Sequence, residues 1–343
     1  MRKKVLILGG AGFIGLGIAR FLGGKRDCDI TIADIFTTGQ ADDDFKRVVS
    51  SFSIKVIEGD FSKPENFSRL ENEYDYVYML ASVVGVNKCI EEPHEVIRIN
   101  TALIQNVLKW VVESKIGKLL FSSSSECYAA ATDLFEYPVP TPEEVPLTIS
   151  DIAHPRYTYA VTKMLGESAF LNYGKQYNFP VTVVRYQNIF GPRMGFKHVI
   201  PHLIQRFIEG DENPFKVYGS DQTRAFCYIT DAAEGTVLAM ENENTDQEIF
   251  HMGSSNEITI EELTKAVGGL MGYDGEYVAA PTYPGSVSRR CPDISKSIKF
   301  LNYLPKVSWL DGLRKSVIWY TDFFKSGVEI HSGGFKKPDD LKF

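Results

Sequence analysis

A glycine-rich turn near the start of the chain limits the possible folds more than any other feature. The sequence GGAGFIG at residues 9–15 directly follows an apolar run and precedes an amphipathic segment. Its glycines allow a tight turn, a close approach of the backbone to a pyrophosphate and close packing of a helix on a strand. The N-terminus of that helix offers free N–H groups to an anion. The turn predicts a dinucleotide site, although a purely structural turn has the same pattern. The predicted residues are Gly9, Gly12, Phe13, Ile14 and Gly15.

An acidic residue at the end of the next predicted strand indicates which dinucleotide binds. Asp34 lies about twenty residues after the turn, where a carboxylate accepts hydrogen bonds from both hydroxyls of an adenosine ribose. The same charge repels a 2′-phosphate, so the predicted cofactor is NAD rather than NADP. A third strand ends at Asp60 and Phe61, which we place at the adenine. The alternative for Asp60 is a cap for the turn that follows it.

The order of apolar and amphipathic segments predicts the fold class. Short apolar runs alternate with helical patterns through the first half, which is typical of a parallel sheet with helices on both faces. Residues 129–155 are rich in proline and predict a surface loop. After residue 192 the elements become shorter, which predicts a second, more irregular lobe. The predicted strands are residues 4–8, 30–33, 54–57, 76–80, 118–122 and 181–185, and the clearest helices are residues 13–22, 95–114 and 157–177.

Composition excludes several classes of protein. The 343 residues are 44% hydrophobic and 24% charged, which is typical of a globular chain with one large or two moderate domains. The net charge of -7 provides no basic field for nucleic acid or an anionic membrane, and no run of about 20 apolar residues predicts a membrane span. Neither the five widely spaced cysteines nor the pair His198 and His202 match a metal site. We therefore predict a cytoplasmic protein without a metal.

Tyr159 and Lys163 form a candidate proton-transfer pair. Their four-residue spacing in a predicted helix puts the phenol and the ammonium on one face. A nearby cation favours a phenolate, and lowering a tyrosine pKa from about 10 toward 7 requires roughly 4 kcal/mol. We expect Lys163 and a positive nicotinamide ring to supply it. The same spacing occurs by chance on solvated helix faces, so its significance depends on the dinucleotide turn.

A polar cluster follows the predicted strand at residues 118–122. Serines occupy residues 122–125, and Glu126 comes next. This is the carboxyl edge of a parallel sheet, where ligands bind in such an architecture. Glu126 is a candidate acid or base, and the alternative is a carboxylate paired with a basic neighbour at the rim.

Together these residues resemble the extended short-chain dehydrogenase/reductase family, specifically its nucleotide-sugar epimerases and dehydratases. The resemblance implies an α/β fold, a Rossmann-type doubly wound parallel sheet with a smaller C-terminal α/β lobe for the substrate. Further matching motifs are LAS at residues 80–82, SSSSECY at 122–128, YAVTK at 159–163, RYQNIFGPR at 185–193, QTRAFCYITDAAEG at 222–235 and RRCPDISKS at 289–297. We place the NAD-binding domain at residues 1–185 with 226–248 returning to it, the nucleotide-sugar lobe at 186–225 and 249–326, and a tail at 327–343.

The resemblance also implies roles for single residues. Ser124 would hydrogen-bond the reacting sugar hydroxyl, Tyr159 would be the base, and Lys163 would be its electrostatic partner and the anchor of the cofactor ribose. Arginine suits a diphosphate because its planar fork grips phosphate oxygens, although a surface ion pair is the alternative for Arg224. The remaining implied cofactor residues are Leu80, Ala81 and Ser82, and the implied substrate ligands are Asn188, Arg193, Arg224 and Arg290.

The implied reaction begins with oxidation at C4 of a nucleotide-diphosphate sugar. Tyr159 would remove the hydroxyl proton while hydride passes to NAD, which leaves a 4-keto sugar. We expect an epimerase, which returns hydride to the other face, since residues 81–87 resemble the epimerase type. The alternative is a 4,6-dehydratase or sugar-acid decarboxylase, because Glu126 is typical of those enzymes. A non-catalytic NAD sensor is a third possibility, which the presence of Tyr159 and Lys163 disfavours.

The resemblance finally implies an assembly and a biological setting. Related enzymes form homodimers through the helices that correspond to residues 95–114 and 157–177. The implied setting is the synthesis of precursors for polysaccharides or glycoconjugates. Ala129 departs from the family's usual glycine, which affects the expected shape of the loop after Tyr128.

Overall fold

Seven parallel strands form the central sheet of the protein. The computed structural model describes residues 2–37, 42–282 and 286–326. The strands in these segments are β1 (Lys3–Leu8), β2 (Cys28–Asp34), β3 (Lys55–Glu58), β4 (Glu73–Met79), β5 (Lys115–Ser124), β6 (Val181–Tyr186), β7 (Ile189–Phe190), β8 (Phe215–Tyr218), β9 (Thr223–Ala225), β10 (Cys227–Tyr228), β11 (Glu248–Met252), β12 (Glu257–Thr259), β13 (Tyr277–Ala280) and β14 (Arg289–Arg290). The helices are α1 (Phe13–Lys25), α2 (Asp43–Phe52), α3 (Val86–Glu91), α4 (Pro93–Glu113), α5 (Ala131–Phe135), α6 (Thr158–Tyr177), α7 (Val199–Glu209), α8 (Ile229–Glu241), α9 (Ile260–Met271), α10 (Ser295–Leu301) and α11 (Trp309–Lys325).

The strand order of the central sheet creates a crevice at its carboxyl edge. The order is β3-β2-β1-β4-β5-β6-β11, and all neighbours are parallel. Because the winding reverses between β1 and β4, the carboxyl ends of these strands border a crevice. Apolar side chains of α1 and α8 cover one face of the sheet, and those of α4 and α6 cover the other. The predicted Rossmann-type doubly wound parallel sheet is confirmed.

The burial of β1 on both faces explains its composition. Residues 5–8 are fully buried, as expected for the continuous apolar run of an inner parallel strand. Gly9 follows with a φ of +83°, and a Cβ there would lie 2.6 Å from the backbone nitrogen of Ala81. Glycine is therefore required where the chain turns from β1 toward α1.

The seventh strand comes from a distant part of the chain. The six predicted strands and three predicted helices are present, with ends that differ from the prediction by no more than three residues. The sequence analysis assigns residues 249–252 to the substrate lobe, but β11 pairs with β6 along its whole length. A local sequence pattern does not show which partner a strand finds, and this explains the difference.

Residues 129–155 are not the simple surface loop that their prolines predict. They contain the short helix α5, and Thr141 and Glu143 are buried. The backbone N–H of Thr141 donates to the carbonyl of Cys291, and the N–H of Asp293 donates to the carbonyl of Thr141. The segment is buried because its backbone groups find partners in the later part of the chain.

The smaller sheets lie beyond residue 186. β9 pairs with β12 and β14, β8 pairs with β13, and β7 pairs with β10. Side chains of α7, α9 and α11 surround a separate apolar core. The division of the chain into domains stays a prediction, and the predicted tail at residues 327–343 lies outside the described residues. None of the helices in the described segments combines the length and the apolar composition needed to traverse a lipid bilayer.

Gly15→Ala is expected to destabilise the protein, whereas Gly24→Ala in the same helix is not. A Cβ on Gly15 would overlap the carbonyl oxygen of Gly9 and would lie 2.6 Å from the Cα of Gly10, whereas nothing lies within 4 Å of a Cβ on Gly24. The first substitution should lower the free energy of unfolding by about 1–3 kcal/mol. The second should leave it unchanged or raise it by up to about 1 kcal/mol. Urea denaturation measures both, and equal stabilities would contradict the prediction.

Candidate active site

The turn after β1 leaves room for an anion at the start of α1. Gly12 is the N-cap of α1 and has no side chain to bond the first N–H groups of the helix, which begins with Phe13 and Ile14. A Cβ on Gly9 or Gly15 would overlap backbone atoms. The turn therefore fits the pyrophosphate of a dinucleotide.

Asp34 ends β2 beside the same turn. Its carboxylate accepts hydrogen bonds from the backbone N–H groups of Ala11 and Phe36, each at 2.9 Å. Burial raises the pKa of the carboxyl above its usual value, although these backbone donors oppose the shift. These hydrogen bonds hold the Asp34 carboxylate beside the glycine-rich turn, where it is suited to bind the ribose hydroxyls of NAD.

Asp60 and Phe61 follow β3. The carboxylate of Asp60 accepts hydrogen bonds from the N–H and the hydroxyl of Ser62 at 3.0 and 2.6 Å. This is the capping role that the sequence analysis gives as the alternative, and a contact with adenine stays a prediction. The ring of Phe61 is buried and packs edge-on against Phe67, so this ring is not available to a ligand.

Residues 80–82 follow β4 on the other side of the glycine turn. The backbone N–H groups of Leu80 and Ala81 both donate to the carbonyl of Leu8 at 2.9 Å. The hydroxyl of Ser82 donates to the next residue's carbonyl. These bonds place the segment at the crevice that the strand order creates.

One face of α6 carries Tyr159, Lys163 and Glu167, each one turn from the next. The ammonium of Lys163 donates to the carbonyl oxygen of Ser122 at 2.7 Å, and its Nζ lies 5.5 Å from the centre of the Tyr159 ring. The predicted pair therefore lies at the carboxyl end of β5, next to the polar cluster.

A buried ion pair fixes this helix against the sheet. Arg185 of β6 donates from Nε and Nη2 to the two carboxylate oxygens of Glu167, at 2.8 and 2.7 Å. Both side chains are almost completely buried. Ser123 of β5 donates its hydroxyl to the same carboxylate, and Arg185 also donates to the carbonyl of Glu143. The pair joins β5, β6, α6 and the proline-rich segment in one network.

Glu126 lies in a 3-10 turn directly after Ser124, whose hydroxyl accepts a hydrogen bond from the N–H of Glu126 at 3.2 Å. Arg290 of β14 donates to one oxygen of Glu126 at 2.6 Å, and Nη2 of Arg156 lies 3.8 Å from the other. Burial opposes ionisation, but the charges of Arg290, Arg156 and Arg224 outweigh it and hold the pKa of this carboxyl below its usual range. Glu126 is an ionised carboxylate within a group of arginines.

The predicted substrate ligands divide into two groups. Arg224 of β9 and Arg290 of β14 are directly paired across the two parallel strands. Burial and then the charge of Arg290 lower the pKa of Arg224 to about 10. Asn188 donates its amide to a carbonyl of β9. Arg193 instead donates to Asp42, at 2.7 Å, in the part of the chain between β2 and α2. The structure therefore brings Arg224 and Arg290 together near Glu126 and pairs Arg193 with Asp42. The substrate roles of these residues stay predictions.

Comparison with known proteins identifies the family. The model of the NAD-dependent epimerase/dehydratase family matches residues 5–253. The chain belongs to this family. NAD is therefore its cofactor, and the resemblance drawn from the motifs is confirmed. No group of three or more His, Cys, Asp and Glu side chains in the described segments is arranged to hold a metal ion.

Relatives in this family include both decarboxylases and 4-epimerases. The chain is 33% identical to a UDP-N-acetyl-alpha-D-glucosaminuronate decarboxylase of Bacillus cytotoxicus, over 94% of this chain and 99% of that protein. It is 30% identical to UDP-glucuronic acid decarboxylase 1 of Xenopus tropicalis, over 93% of this chain and 72% of that protein.

Solved structures of 4-epimerases share the fold over nearly the whole chain. A UDP-glucose 4-epimerase of Thermotoga maritima has a TM-score of 0.81 at 26% identity and covers 94% of this chain and 99% of its own. A UDP-glucuronic acid 4-epimerase of Bacillus cereus, solved with NAD, has a TM-score of 0.80 at 26% identity and covers 93% and 99%.

Burial is the main cause of the pKa shifts of Tyr159 and Lys163, the two predicted reactive groups. It raises the pKa of Tyr159 above its usual value, and the negative charge of Glu126 adds to the shift, while a hydrogen bond with Ser124 opposes it. Burial also lowers the pKa of Lys163 to about 8. The sequence predicts that Lys163 and a positive nicotinamide ring together lower the pKa of Tyr159. Without that ring, burial raises it, and the combined effect stays a prediction. The remaining source of positive charge is the nicotinamide ring that the sequence analysis also names.

Glu167, Arg185 and Arg156 are not among the predicted site residues, although the sequence contains signals for them. Glu167 continues the four-residue spacing of Tyr159 and Lys163, and a carboxylate on that face needs a buried partner. Arg185 ends an otherwise apolar predicted strand, where a charge is rarely found without a partner. Arg156 precedes the predicted base by three residues. No local pattern joins these residues, because their partners come from other elements.

Lys163→Met is expected to change how stability depends on pH. The pKa of Lys163 is about 8 in the folded protein and 10.5 as its usual value. Between these pH values the unfolded chain binds more protons, so the stability contributed at this position rises with pH. The free energy of unfolding of the wild type minus that of the variant should rise across this interval by up to roughly 3 kcal/mol. Urea denaturation at several pH values measures it, and a constant or falling difference contradicts the prediction.

Proposed function

We propose that the chain is a UDP-sugar-acid decarboxylase, which oxidises C4 of a UDP-hexuronic acid with NAD and releases CO2. The ion pair of Glu126 with Arg290, at 2.6 Å, carries the proposal. It puts a carboxylate next to Ser124 and surrounds it with arginines, which suits an anionic sugar and a proton transfer beside C4. The similarity to decarboxylases of two UDP-sugar acids supports it.

The proposed roles of the reactive residues rest on the family resemblance and are consistent with the positions described above. NAD, when bound, would supply reversible hydride transfer at C4. Ser124 orients the C4 hydroxyl, and Tyr159 takes its proton and later gives it back. Lys163, held by Ser122, anchors the cofactor ribose. The turn at residues 9–15 and Asp34 hold the rest of the cofactor, and Arg224 with Asn188 faces the diphosphate.

The loss of CO2 follows from the ketone at C4. The carboxylate C6 is attached to C5, so the 4-keto sugar is a β-keto acid. The C5–C6 bond breaks, its electron pair forms an enolate with the C4 oxygen, and C6 leaves as CO2. C5 then takes up one proton, which comes from solvent through Glu126. The Glu126 carboxylate is suited to this relay because Arg290 keeps it in place.

A 4-epimerase acting on a UDP-sugar is the second candidate. The same ion pair favours it if Arg290 neutralises Glu126 and keeps the carboxylate out of the reaction. The structural similarity to a UDP-glucuronic acid 4-epimerase, which takes the same class of sugar, also supports it. The two candidates share the oxidation at C4 and differ in the fate of C6.

Incubation with UDP-glucuronic acid and NAD in D2O is expected to give a product that has lost CO2 and carries deuterium at C5. Mass spectrometry and proton NMR measure both. Tyr159→Phe should abolish turnover, because the C4 hydroxyl then has no base. Glu126→Gln should slow CO2 release by roughly 100-fold or more, whereas Glu144→Gln, an exposed carboxylate in the segment before α6, should have no effect.

Other products decide between the alternatives. A product of unchanged mass with altered C4 couplings and no deuterium at C5 establishes the epimerase. Loss of water in a parallel incubation with UDP-glucose, which has the C6 hydroxyl that a 4,6-dehydratase eliminates, establishes a dehydratase. Retained turnover in Tyr159→Phe contradicts the chemistry common to all of them. Normal CO2 release in Glu126→Gln contradicts the role of that carboxylate.

We also propose that the protein is a homodimer through the surface between α4 and α6. Exposed apolar side chains border a groove of about 380 Å³ there. A second copy of the same two helices supplies matching apolar side chains, as the resemblance implies. The exposed members are Val112, Leu165, Tyr173 and Tyr177.

Leu165→Glu is expected to convert the dimer to a monomer, since a buried unpaired charge opposes association. Ile318→Glu is the matched control, because Ile318 is also an exposed apolar residue but lies on α11. Light scattering at micromolar protein measures the mass. A wild-type monomer, or a dimer in Leu165→Glu, contradicts the proposed surface.

The proposed setting is the cytoplasm and the synthesis of polysaccharide precursors. All five cysteines are free and buried, which suits a reducing compartment. UDP-sugars with an altered C5 or C4 are the products that the proposed chemistry supplies to such synthesis.

A further inference from the structure

The group of arginines near Glu126 has more positive than negative charge. The guanidinium groups of Arg156, Arg224 and Arg290 all act on Glu126. Asp133 is a second carboxylate, which acts on Arg224 and Arg290 and accepts hydrogen bonds from Ser288. Arg224 also acts on Glu257, which pairs with Arg289. Four cations thus face three anions, and the excess favours an anionic ligand.

The three arginines differ in how fully their donors are used. Arg290 donates to Glu126 at 2.6 Å. Arg224 donates to the carbonyl oxygens of Thr223 and Val287, and also to side chains near β14. Arg156 has a buried Nε without a hydrogen-bond partner among the described residues, and its Nη2 lies 3.8 Å from Glu126, beyond hydrogen-bond distance. Arg156 therefore has donors to offer a ligand.

The position of Arg156 relates these donors to the reacting carbon. It lies in the 3-10 turn that leads into α6, three residues before Tyr159. This spacing puts the two side chains on the same side of the helix. In a hexuronic acid the carboxylate is attached to C5, the neighbour of C4. A C4 hydroxyl at Tyr159 puts the carboxylate within two carbons of the reacting atom, and Arg156 lies on the same side of the helix as that phenol.

We infer that Arg156 recognises the C6 carboxylate of the sugar acid, so that it selects a UDP-hexuronic acid over a neutral UDP-hexose. The inference rests on the proposed function and names the residue that determines this specificity. The free Nε and one terminal nitrogen of a guanidinium form a planar fork that matches a carboxylate. Arg290 remains with Glu126. Arg224, which donates to the carbonyl oxygens of Thr223 and Val287, keeps its proposed place at the diphosphate.

The affinities of two probes test this assignment. Tyr159→Phe, prepared with NAD, prevents turnover, and calorimetry then measures binding of UDP-glucuronic acid and of UDP-glucose. We expect the acid to bind about 10- to 100-fold more tightly in this parent. Adding Arg156→Met should bring the ratio of the two dissociation constants close to one without changing the affinity for UDP-glucose. Arg156→Lys, which keeps the charge but lacks the fork, should reduce the ratio at least several-fold.

Arg289→Met is the matched control. Arg289 precedes Arg290 but pairs with Glu257 and is half exposed, so its removal should leave the ratio unchanged. A ratio that stays at the parent value in Arg156→Met and in Arg156→Lys overturns the assignment, while the proposed function stands. Equal loss of both ligands in Arg156→Met also overturns it, since the residue would then not distinguish them.

Different results contradict the proposed function and the assignment of Arg156. A parent that binds UDP-glucose as tightly as UDP-glucuronic acid contradicts a sugar-acid substrate, and with it the proposed function. Should Arg156→Met fail to fold, as judged by circular dichroism, the ratio in Arg156→Lys decides.

Discussion

The buried ion pair between Arg185 and Glu167 is the interaction on which the rest of the site depends. It lies between β6 and α6 and also takes the hydroxyl of Ser123 from β5. Removing one member of such a pair leaves an unpaired buried charge, which costs about 3–5 kcal/mol. Because Glu167 is two turns from Tyr159, the same contact sets the rotation of α6. The orientation of the phenol toward Ser124 is thus determined by a contact that no substrate touches.

The charges in the site have two separate effects, one on the ligand that the site favours and one on the ionisation of Tyr159. The arginines around Glu126 create a positive environment, which suits an anionic ligand, whereas the surroundings of Tyr159 disfavour a phenolate. Glu126 contributes to both, because it offsets the charge of Arg290 and raises the pKa of Tyr159. A carboxylate at this position therefore lowers the fraction of Tyr159 that is ionised until positive charge is added nearby. NAD, with its positive ring, supplies that charge together with the hydride acceptor.

The fold and part of the site were predictable because they depend on local patterns. Continuous apolar runs identify the inner strands, and the glycine spacing identifies the turn before α1. The four-residue spacing of Tyr159 and Lys163 placed them correctly on one helix face. Burial could not be read in the same way, so the rise that burial imposes on the pKa of Tyr159 was not predictable from the sequence. Contacts between distant segments were also not predictable, such as Arg193 with Asp42 or Thr141 with Cys291.

The position of β11 at the edge of the central sheet affects how the chain folds during its synthesis on the ribosome. Val181, Val183 and Val184 of β6 are fully buried in the finished protein, but β6 has no outer neighbour until residues 248–252 have left the ribosome. During that interval the nascent chain carries an open strand edge, which is a template for pairing with other chains. The cofactor half of the molecule is therefore complete only late in synthesis, and a fragment that ends at residue 185 retains the glycine turn but exposes that edge.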